Sequence, residues 1–235
     1  MSQAGAKRFP PLYPILDADL IFRDPVFRDS TSDPAGRHGL LARLARELAE
    51  AGVLTLQYRN KRDPDSVVLD DARAIREGVS IADPPPAGLI PMRLILNDRA
   101  ALVAAAGWHG VHLGQEDLPP RQVRSLLGPE AIIGLSTHNE AQTRAADVEP
   151  VDYIAIGPVF STTSKSDTSP VIGLDGVRRA RALTNKPLIA IGGITLSTAA
   201  SVYEAGADSL AVISALFAPG RSLAQSARDF LAIFK

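Results

Sequence analysis

The sequence contains no cysteine, one tryptophan and two methionines among its 235 residues. Without cysteine the protein forms no disulfide bond and has no thiolate for nucleophilic chemistry, a composition that fits a reducing compartment. An excess of charge is also lacking, because the formal net charge is -1. No overall field therefore attracts the chain to nucleic acids or membrane surfaces, and any anion must be bound by a local cluster.

Long apolar runs are absent as well. No segment approaches the roughly 20 apolar residues that a membrane-spanning helix needs, and residues 1–11 lack the apolar centre of a secretion signal. The content of hydrophobic residues, 46%, is nevertheless sufficient for a large core. We therefore expect a cytoplasmic protein without nucleic-acid or membrane partners. It should form one domain over residues 1–235, with residues 1–11 as a flexible extension.

Short apolar runs recur eight times, and most are followed by a pattern that is compatible with a helix. Several runs are continuously hydrophobic, as expected for parallel strands that are covered on both faces. Eight alternating units predict a single (β/α)8 TIM barrel. An open doubly wound sheet is the alternative, but the usual Gly-x-Gly-x-x-Gly turn is missing after the first strand. The predicted strands are 13–16, 53–58, 93–97, 110–113, 131–136, 153–157, 187–191 and 209–213, and the predicted helices are 39–51, 65–81, 99–106, 140–147, 175–183, 197–205 and 222–234.

Polar side chains are concentrated where the apolar runs end. In a barrel these ends converge on one mouth, where such enzymes keep their active sites. Gln57, Arg59 and Lys61 follow the second run and share one face, because alternate side chains of a strand point the same way. Cations are costly to bury without a partner. An anion is therefore expected at this strand end, unless Arg59 and Lys61 are solvated and pair with Asp63 or Asp65.

Two carboxylates follow the third and fourth runs. Asp98 and Asp117 are of the type that binds Mg²⁺, which keeps waters and is usually shared with substrate phosphates. Cations beside a carboxylate-bound Mg²⁺ form a clamp for a diphosphate. The alternative is that each aspartate caps a helix, Asp98 directly and Asp117 near Pro119.

A second phosphate site is predicted after the seventh and eighth runs. Gly192, Gly193 and Ser214 are small enough for backbone amides to approach a phosphate, and these loops are the usual phosphate site of this barrel class. The glycines could instead serve tight packing alone. The polar segment 161–173 has no apolar periodicity and is predicted to form a lid over the mouth.

The histidines do not form a catalytic or metal-binding pattern. His112 alternates with Gly110 and Gly114, which predicts a hydrogen-bonded structural role inside the barrel. His38 and His109 are predicted to lie on the surface, and His138 lies near the mouth.

An ordered set of motifs resembles the thiamine phosphate synthase and thiazole tautomerase superfamily. Each motif is weak alone, but the set runs in order over residues 53–216. The motifs are Gln57-x-Arg59-x-Lys61, Leu96-Asn97-Asp98, the Gly110–Asp117 run, Gly134-Leu135-Ser136-Thr137-His138, the Asp152–Phe160 run, Thr162-Thr163-Ser164-Lys165, Ala190-Ile191-Gly192-Gly193-Ile194 and Ala205-Gly206-Ala207-Asp208 with Ile213-Ser214.

The resemblance implies a transferase that joins a hydroxymethylpyrimidine diphosphate to a thiazole phosphate. By position, the pyrimidine diphosphate would be bound by Gln57, Arg59, Lys61, Asn97, Ser136 and Lys165, and the thiazole phosphate by Thr162, Thr163, Ser164, Gly193, Ile213 and Ser214. Asp98 and Asp117 would bind Mg²⁺, and catalysis would rest on Arg59, Lys61, Ser136 and Lys165. The small molecules would be its partners, together with a second copy of the chain in a homodimer.

Two alternatives remain open within the same barrel. A thiazole tautomerase-like isomerase would not need a diphosphate clamp, and a non-catalytic phosphate sensor would be expected to lose Asp98, Asp117 or Lys165. The chain departs from the resembling family at Ser164, where threonine is usual, and at Tyr58, where a smaller aliphatic residue is common. The loop 17–37 is longer than usual.

Overall fold

The computed structural model describes residues 9–23, 33–81, 92–162 and 169–234. The strands are β1 (Leu12–Asp17), β2 (Thr55–Arg59), β3 (Arg93–Asn97), β4 (Gly110–Leu113), β5 (Ile132–Thr137), β6 (Tyr153–Ile156), β7 (Leu188–Ile191) and β8 (Ser209–Val212). They pair in parallel in chain order, and β8 pairs with β1 to close the barrel. The predicted (β/α)8 barrel is therefore confirmed.

The described helices surround this barrel. They are α1 (Ala18–Arg23), α2 (Pro34–Glu50), α3 (Asp65–Ile81), α4 (Val103–Ala106), α5 (Pro120–Leu127), α6 (Glu140–Asp147), α7 (Gly173–Arg181), α8 (Leu196–Glu204) and α9 (Leu223–Ala232), with 3₁₀ turns at Ala100–Leu102 and Ser214–Leu216. Side chains of Asp33, Asn139 and Ser222 accept hydrogen bonds from the first turns of α2, α6 and α9. These caps explain why the helices begin where they do. No helix among the described residues is long and apolar enough to cross a membrane.

Helix α1 was not predicted from the sequence, and α5 was expected only in the alternative in which Asp117 caps a helix near Pro119. Helix α1 lies at the start of the segment that was expected to be a loop, and its six residues are too few to show a helical period. Helix α5 begins after Pro119 and has no side-chain cap. Start signals were present at both helices, because Oδ1 of Asp17 accepts a hydrogen bond from the amide of Leu20 in α1 and Pro120 is the first residue of α5.

Alternation along the strands separates two apolar clusters. The outward side chains, such as Leu56 and Tyr58, pack against the helices in the larger cluster. The smaller cluster fills the barrel and contains Phe9, Tyr13, Ile15, Ile95, Tyr153, Ala155, Ile189, Ala211 and Ile213. Phe9 belongs to the segment that was predicted to be flexible, yet it is buried and its ring centroid lies 4.8 Å from that of Tyr153. Residues 1–8 lie outside the described residues.

Candidate active site

A polar cavity of about 480 Å³ lies at the carboxyl ends of β2 to β5. We call it the polar cavity. The predicted site residues that line it are Arg59, Lys61, Asn97, Asp98, Asp117 and Ser136, and the other lining residues are His112, Gly114, Gln115, Glu116, His138, Gln142 and Ser169. The barrel therefore brings together six of the residues that were predicted to hold a diphosphate and a metal ion.

Arg59 is paired with an aspartate that the sequence did not suggest. Asp17 ends β1 directly beside Arg59 in the parallel register, and its Oδ2 accepts a short hydrogen bond from Nη1 of Arg59. Both residues are largely buried, at 2% and 9% exposure. This partner explains how a buried strand end can carry a guanidinium, and it holds the group in one position at the cavity wall. The expected alternatives, Asp63 and Asp65, instead form ion pairs with Arg37 and Arg99.

Lys61 and the two predicted metal ligands form a charged cluster. The Nζ atom of Lys61 lies 3.2 Å from Oδ2 of Asp98. Burial, together with the hydrogen bond and charge of Asp117, raises the pKa of Asp98, and Lys61 opposes that change. Two carboxylates in contact repel each other when both are ionised. A further cation between them would relieve this repulsion.

The backbone of Asp98 explains its position at the cavity. Its φ is 63°, in the left-handed region that residues other than glycine seldom adopt. The Asp98 amide donates to the carbonyl of His112 at 2.8 Å, which ties the end of β3 to β4. The 3₁₀ turn that follows has no side-chain cap. The capping alternative for Asp98 is therefore not what the structure shows.

Asp117 does not cap a helix either. Its Oδ2 accepts a 2.6 Å hydrogen bond from the amide of Gly114, whereas α5 begins after Pro119 without a side-chain cap. The turn that follows β4 folds back in this way and presents the Asp117 carboxylate to Asp98.

Asn97 carries an unsatisfied donor at the cavity. Its side chain is 7% exposed, and Nδ2 has no hydrogen-bond partner among the described residues. A buried amide without a partner costs free energy. The unpaired donor therefore indicates that a ligand completes this part of the site.

Ser136 and Gln57 belong to a hydrogen-bond chain through the barrel. Oγ of Ser136 lies 2.8 Å from Nε2 of His112, which confirms the predicted hydrogen-bonded role of this histidine. Gln57 is buried, and its Nε2 donates to Oη of Tyr13 at 3.0 Å. Gln57 is not among the residues that line the polar cavity. Its predicted contact with the pyrimidine therefore stays a prediction.

A second cavity of about 470 Å³ lies at the ends of β7 and β8. We call it the glycine-lined cavity. Of the predicted site residues, Thr162, Gly193, Ile213 and Ser214 line it. Gly192 and Gly193 have φ values of 103° and 61°, and a Cβ atom on Gly193 would lie 2.5 Å from the carbonyl oxygen of Ser161. These positions therefore need glycine, and the turn leaves a space bounded by backbone.

Three predicted residues, Thr163, Ser164 and Lys165, lie outside the described residues, as does the middle of the predicted lid. The predicted surface position of His109 is confirmed, although its Nδ1 accepts a 3.0 Å hydrogen bond from the amide of Leu94. Nδ1 of His138 lies 2.7 Å from the carbonyl oxygen of Gly157, beside the polar cavity.

The donor set at the polar cavity fits Mg²⁺ better than zinc. No group of three or more histidine, aspartate or glutamate side chains suited to a metal occurs in the described part of the chain. A zinc site usually has at least three protein ligands. The pair Asp98 and Asp117 instead matches an ion that binds one or two carboxylates and takes its other ligands from water and phosphate.

Comparisons with known proteins identify the family. The family model described as thiamine monophosphate synthase matches residues 30–216. The chain belongs to the thiamine monophosphate synthase family. The resemblance predicted from the ordered motifs is thereby confirmed, and so is the transferase class.

Individual relatives support the same assignment. The thiamine-phosphate synthase of Koribacter versatilis is 45% identical over 98% of both chains. The thiamine-phosphate synthase of Methanoculleus marisnigri is 41% identical over 87% of this chain and 94% of its own. The solved structure of thiamine phosphate pyrophosphorylase from Pyrococcus furiosus superposes with a TM-score of 0.75 at 26% identity, covering 95% of this chain and 94% of that one.

The match to the thiamine monophosphate synthase family includes nearly all of the cavity residues. Asp17 and Tyr13 precede the matched range 30–216. Asp17 could have been found from its position in the sequence, because a carboxylate at the end of β1 must lie beside the end of β2 in a closed barrel.

Proposed function

We propose that the chain synthesises thiamine phosphate from a hydroxymethylpyrimidine diphosphate and a thiazole phosphate. The C–O bond between the pyrimidine methylene and the diphosphate breaks, and pyrophosphate leaves with the electron pair. The aminopyrimidine stabilises the resulting CH₂ cation, and the thiazole nitrogen donates its lone pair to form the new C–N bond. The reaction needs no enzyme nucleophile, which fits a site without cysteine and without a catalytic triad.

The observation that carries the proposal is the carboxylate pair beside a lysine in the polar cavity. The pKa of Asp98 is raised by burial and by Asp117, and Lys61 lies 3.2 Å away. An isomerase acting on a thiazole phosphate alone has no need for this arrangement. A diphosphate substrate with its metal ion does need this arrangement, because the diphosphate brings several negative charges to one place.

We assign Mg²⁺ to Asp98 and Asp117. When bound, the ion would supply positive charge to the departing pyrophosphate. Arg59 and Lys61 contribute the fixed positive charge of the cavity wall, and the unpaired Nδ2 of Asn97 is available to donate to an oxygen of the same substrate. Preorganised donors of this kind are effective because they do not have to reorient as charge develops.

The glycine-lined cavity is proposed to bind the thiazole phosphate. Its lining includes the turn after β7 and the start of the 3₁₀ turn Ser214–Leu216 after β8. Backbone amides at such turns bind phosphate without a charged side chain. Lys165 is proposed to contact the pyrimidine diphosphate, and Thr163 and Ser164 the thiazole phosphate, as the family motif implies. A lid over residues 161–173 would keep water from trapping the cation.

The decisive experiment measures pyrophosphate release by the purified chain. Release should require Mg²⁺ and both substrates together. Binding of both substrates without release would favour a sensor, and conversion of a thiazole phosphate alone would favour an isomerase. A cytoplasmic location and a homodimer stay predictions; fractionation of the source cells and light scattering at several protein concentrations test them.

Two lysines provide a matched comparison. Lys165→Ala should cut turnover at least about 100-fold with little change in thermal stability, as expected for loss of one charge-stabilising donor. Lys186→Ala should instead lower thermal stability and leave turnover unchanged, because Nζ of Lys186 donates to the carbonyl of Glu149 at 2.5 Å and Lys186 lines neither cavity. Equal losses of stability and turnover in Lys165→Ala would contradict the proposed role.

A further inference from the structure

A chain of side-chain hydrogen bonds runs through the barrel interior and ends at Ser136. Gln57 Nε2 donates to Tyr13 Oη at 3.0 Å, and Tyr13 Oη lies 2.8 Å from Tyr153 Oη. Tyr153 Oη lies 2.9 Å from Nδ1 of His112, whose Nε2 lies 2.8 Å from Oγ of Ser136. Because Ser136 lines the polar cavity, the chain links the closed interior to the site.

Packing holds these groups in one arrangement. Tyr13 and Tyr153 are 1% and 0% exposed. His112, Gly134 and Tyr153 are neighbours across three strands in the parallel register. Gly134 has no side chain, and a Cβ there would lie 2.0 Å from Cζ of Tyr153. The His112 and Tyr153 rings therefore stack over the glycine, with centroids 5.5 Å apart and an angle of 16° between planes.

The proton positions follow from counting donors. The Nε2 group of Gln57 can only donate, so Tyr13 Oη accepts that bond and gives its own proton to Tyr153. Tyr153 then gives its proton to Nδ1 of His112. A neutral imidazole that accepts at Nδ1 carries its proton on Nε2 and donates it to Ser136. The proton of Ser136 is left to point into the polar cavity.

With Nε2 of Gln57 facing Tyr13, the opposite direction leaves one donor without an acceptor. If Nδ1 of His112 donated to Tyr153, then Tyr153 would donate to Tyr13, which already accepts from Gln57. The hydroxyl proton of Tyr13 would then be buried without a partner, which costs the desolvation of that donor. Ionisation of a tyrosine does not remove this cost, because burial raises the pKa of both Tyr13 and Tyr153 well above the usual value.

We propose that Tyr153 and Tyr13 are positioning residues that fix His112 as the Nε2-protonated tautomer, so that the hydroxyl of Ser136 donates to an anionic oxygen of the diphosphate substrate. The inference rests on the proposed function for the identity of that substrate. The direction of donation along these hydrogen bonds is a property of the free protein, however, and is tested separately. The structure assigns Gln57 to the start of the same chain.

The first test determines the tautomer of His112 in the free protein by ¹⁵N NMR of labelled imidazole. The Nε2-protonated form is expected in the native chain, and Tyr153→Phe should shift the ring toward a mixture of tautomers. A native His112 protonated on Nδ1 would overturn the proposal. This result does not depend on whether the protein releases pyrophosphate. Failure of the proposed function is therefore distinguished from failure of the proposed hydrogen-bond order.

The second test measures steady-state kinetics of variants that remove single hydroxyls. Tyr153→Phe should lower kcat by about tenfold, the effect of losing one hydrogen bond. Tyr13→Phe should have a smaller effect, because Tyr153 still donates to His112. In a Ser136→Ala background neither change should add to the loss, since both act through the serine. Additive losses would overturn the proposal.

The exposed tyrosine provides the matched control. Tyr203 is 45% exposed and packs on Phe234 at the surface. Tyr203→Phe should leave both the tautomer and kcat unchanged. If Tyr153→Phe does not fold, the NMR measurement on the native protein and the kinetics of Tyr13→Phe still test the proposal.

Discussion

The Tyr58 hydroxyl donates a 2.5 Å hydrogen bond to Oδ2 of Asp71, a carboxylate that has no exposed surface. Arg37 contacts the same carboxylate through Nε at 2.8 Å and Nη2 at 2.6 Å, and it also reaches Asp63. The Phe22 ring lies 4.0 Å from the Arg37 guanidinium. The network joins α1, α2 and α3 to the end of β2, the strand that carries Arg59.

This network gives a prediction for stability. Asp71→Asn should lower the free energy of unfolding by about 2–4 kcal/mol, because three donors would then face a side chain with one acceptor and its own NH₂ group. Urea denaturation measures the change. Asp70→Asn is the control, since Asp70 is adjacent in sequence but exposed, with an ion pair to Arg73 at 3.2 Å; the change should cost no more than about 0.5 kcal/mol. Equal losses in the two variants would contradict the interpretation.

Asp98 gives a prediction for activity. Asp98→Asn should lower turnover at least about 100-fold, as expected for loss of a group that stabilises developing charge. Thermal stability should be unchanged or higher, because the contact between two carboxylates is removed. Asparagine is preferable to alanine because the φ of 63° suits asparagine better.

The control for Asp98→Asn is Asp175→Asn. Asp175 is an exposed residue that pairs with Arg178 at 2.6 Å. Turnover and Mg²⁺ dependence should be unaffected by that change. An Asp98→Asn enzyme with native turnover would rule out the assigned metal site.

Gly193 gives a prediction for the thiazole phosphate. Gly193→Ala should raise KM for this substrate about tenfold or more, because the new methyl group would displace Ser161 or Phe160 at the cavity wall. Gly52→Ala isolates the backbone effect, since Gly52 follows α2 with a φ of 88° but open space around it. Both variants should lose about 1 kcal/mol of stability for the left-handed conformation. A native KM in Gly193→Ala would place the phosphate elsewhere.

His109 gives a prediction for pH dependence. Partial burial of the His109 ring, and secondarily the charge of Arg93, lowers the pKa of this otherwise exposed residue from 6.5. The unfolded chain therefore binds this proton more tightly, so the stability contribution is present above about pH 6.5 and is lost as the pH falls through the lowered pKa.

His109→Asn should remove this dependence and keep the hydrogen bond, because Oδ1 of asparagine can accept from the Leu94 amide. Between about pH 7.5 and 5, the melting temperature of the native chain should fall more than that of the variant. Parallel profiles would show that His109 does not contribute.

The strand and helix pattern was largely predictable from local signals. The runs 93–97 and 110–113 were predicted with the bounds that the structure shows, because buried parallel strands read as continuous apolar segments. Helix α1 was missed because six residues do not complete a hydrophobic repeat. Two residues of the Gln57-x-Arg59-x-Lys61 motif face away from the polar cavity: the Tyr58 hydroxyl donates to Asp71, and Asn60 Oδ1 accepts from the amides of Arg62 and Asp63.

The sequence by itself determined where most of the polar side chains at the mouth of the barrel lie, because the alternation of a strand and the position of its end are local properties of the chain. Only the tertiary structure decided which side chains pair with one another. The contacts Arg59 with Asp17, Lys61 with Asp98, and His112 with Tyr153 join different strands. Barrel closure, register and the missing side chain of Gly134 set those distances, and none of these is a property of a single segment.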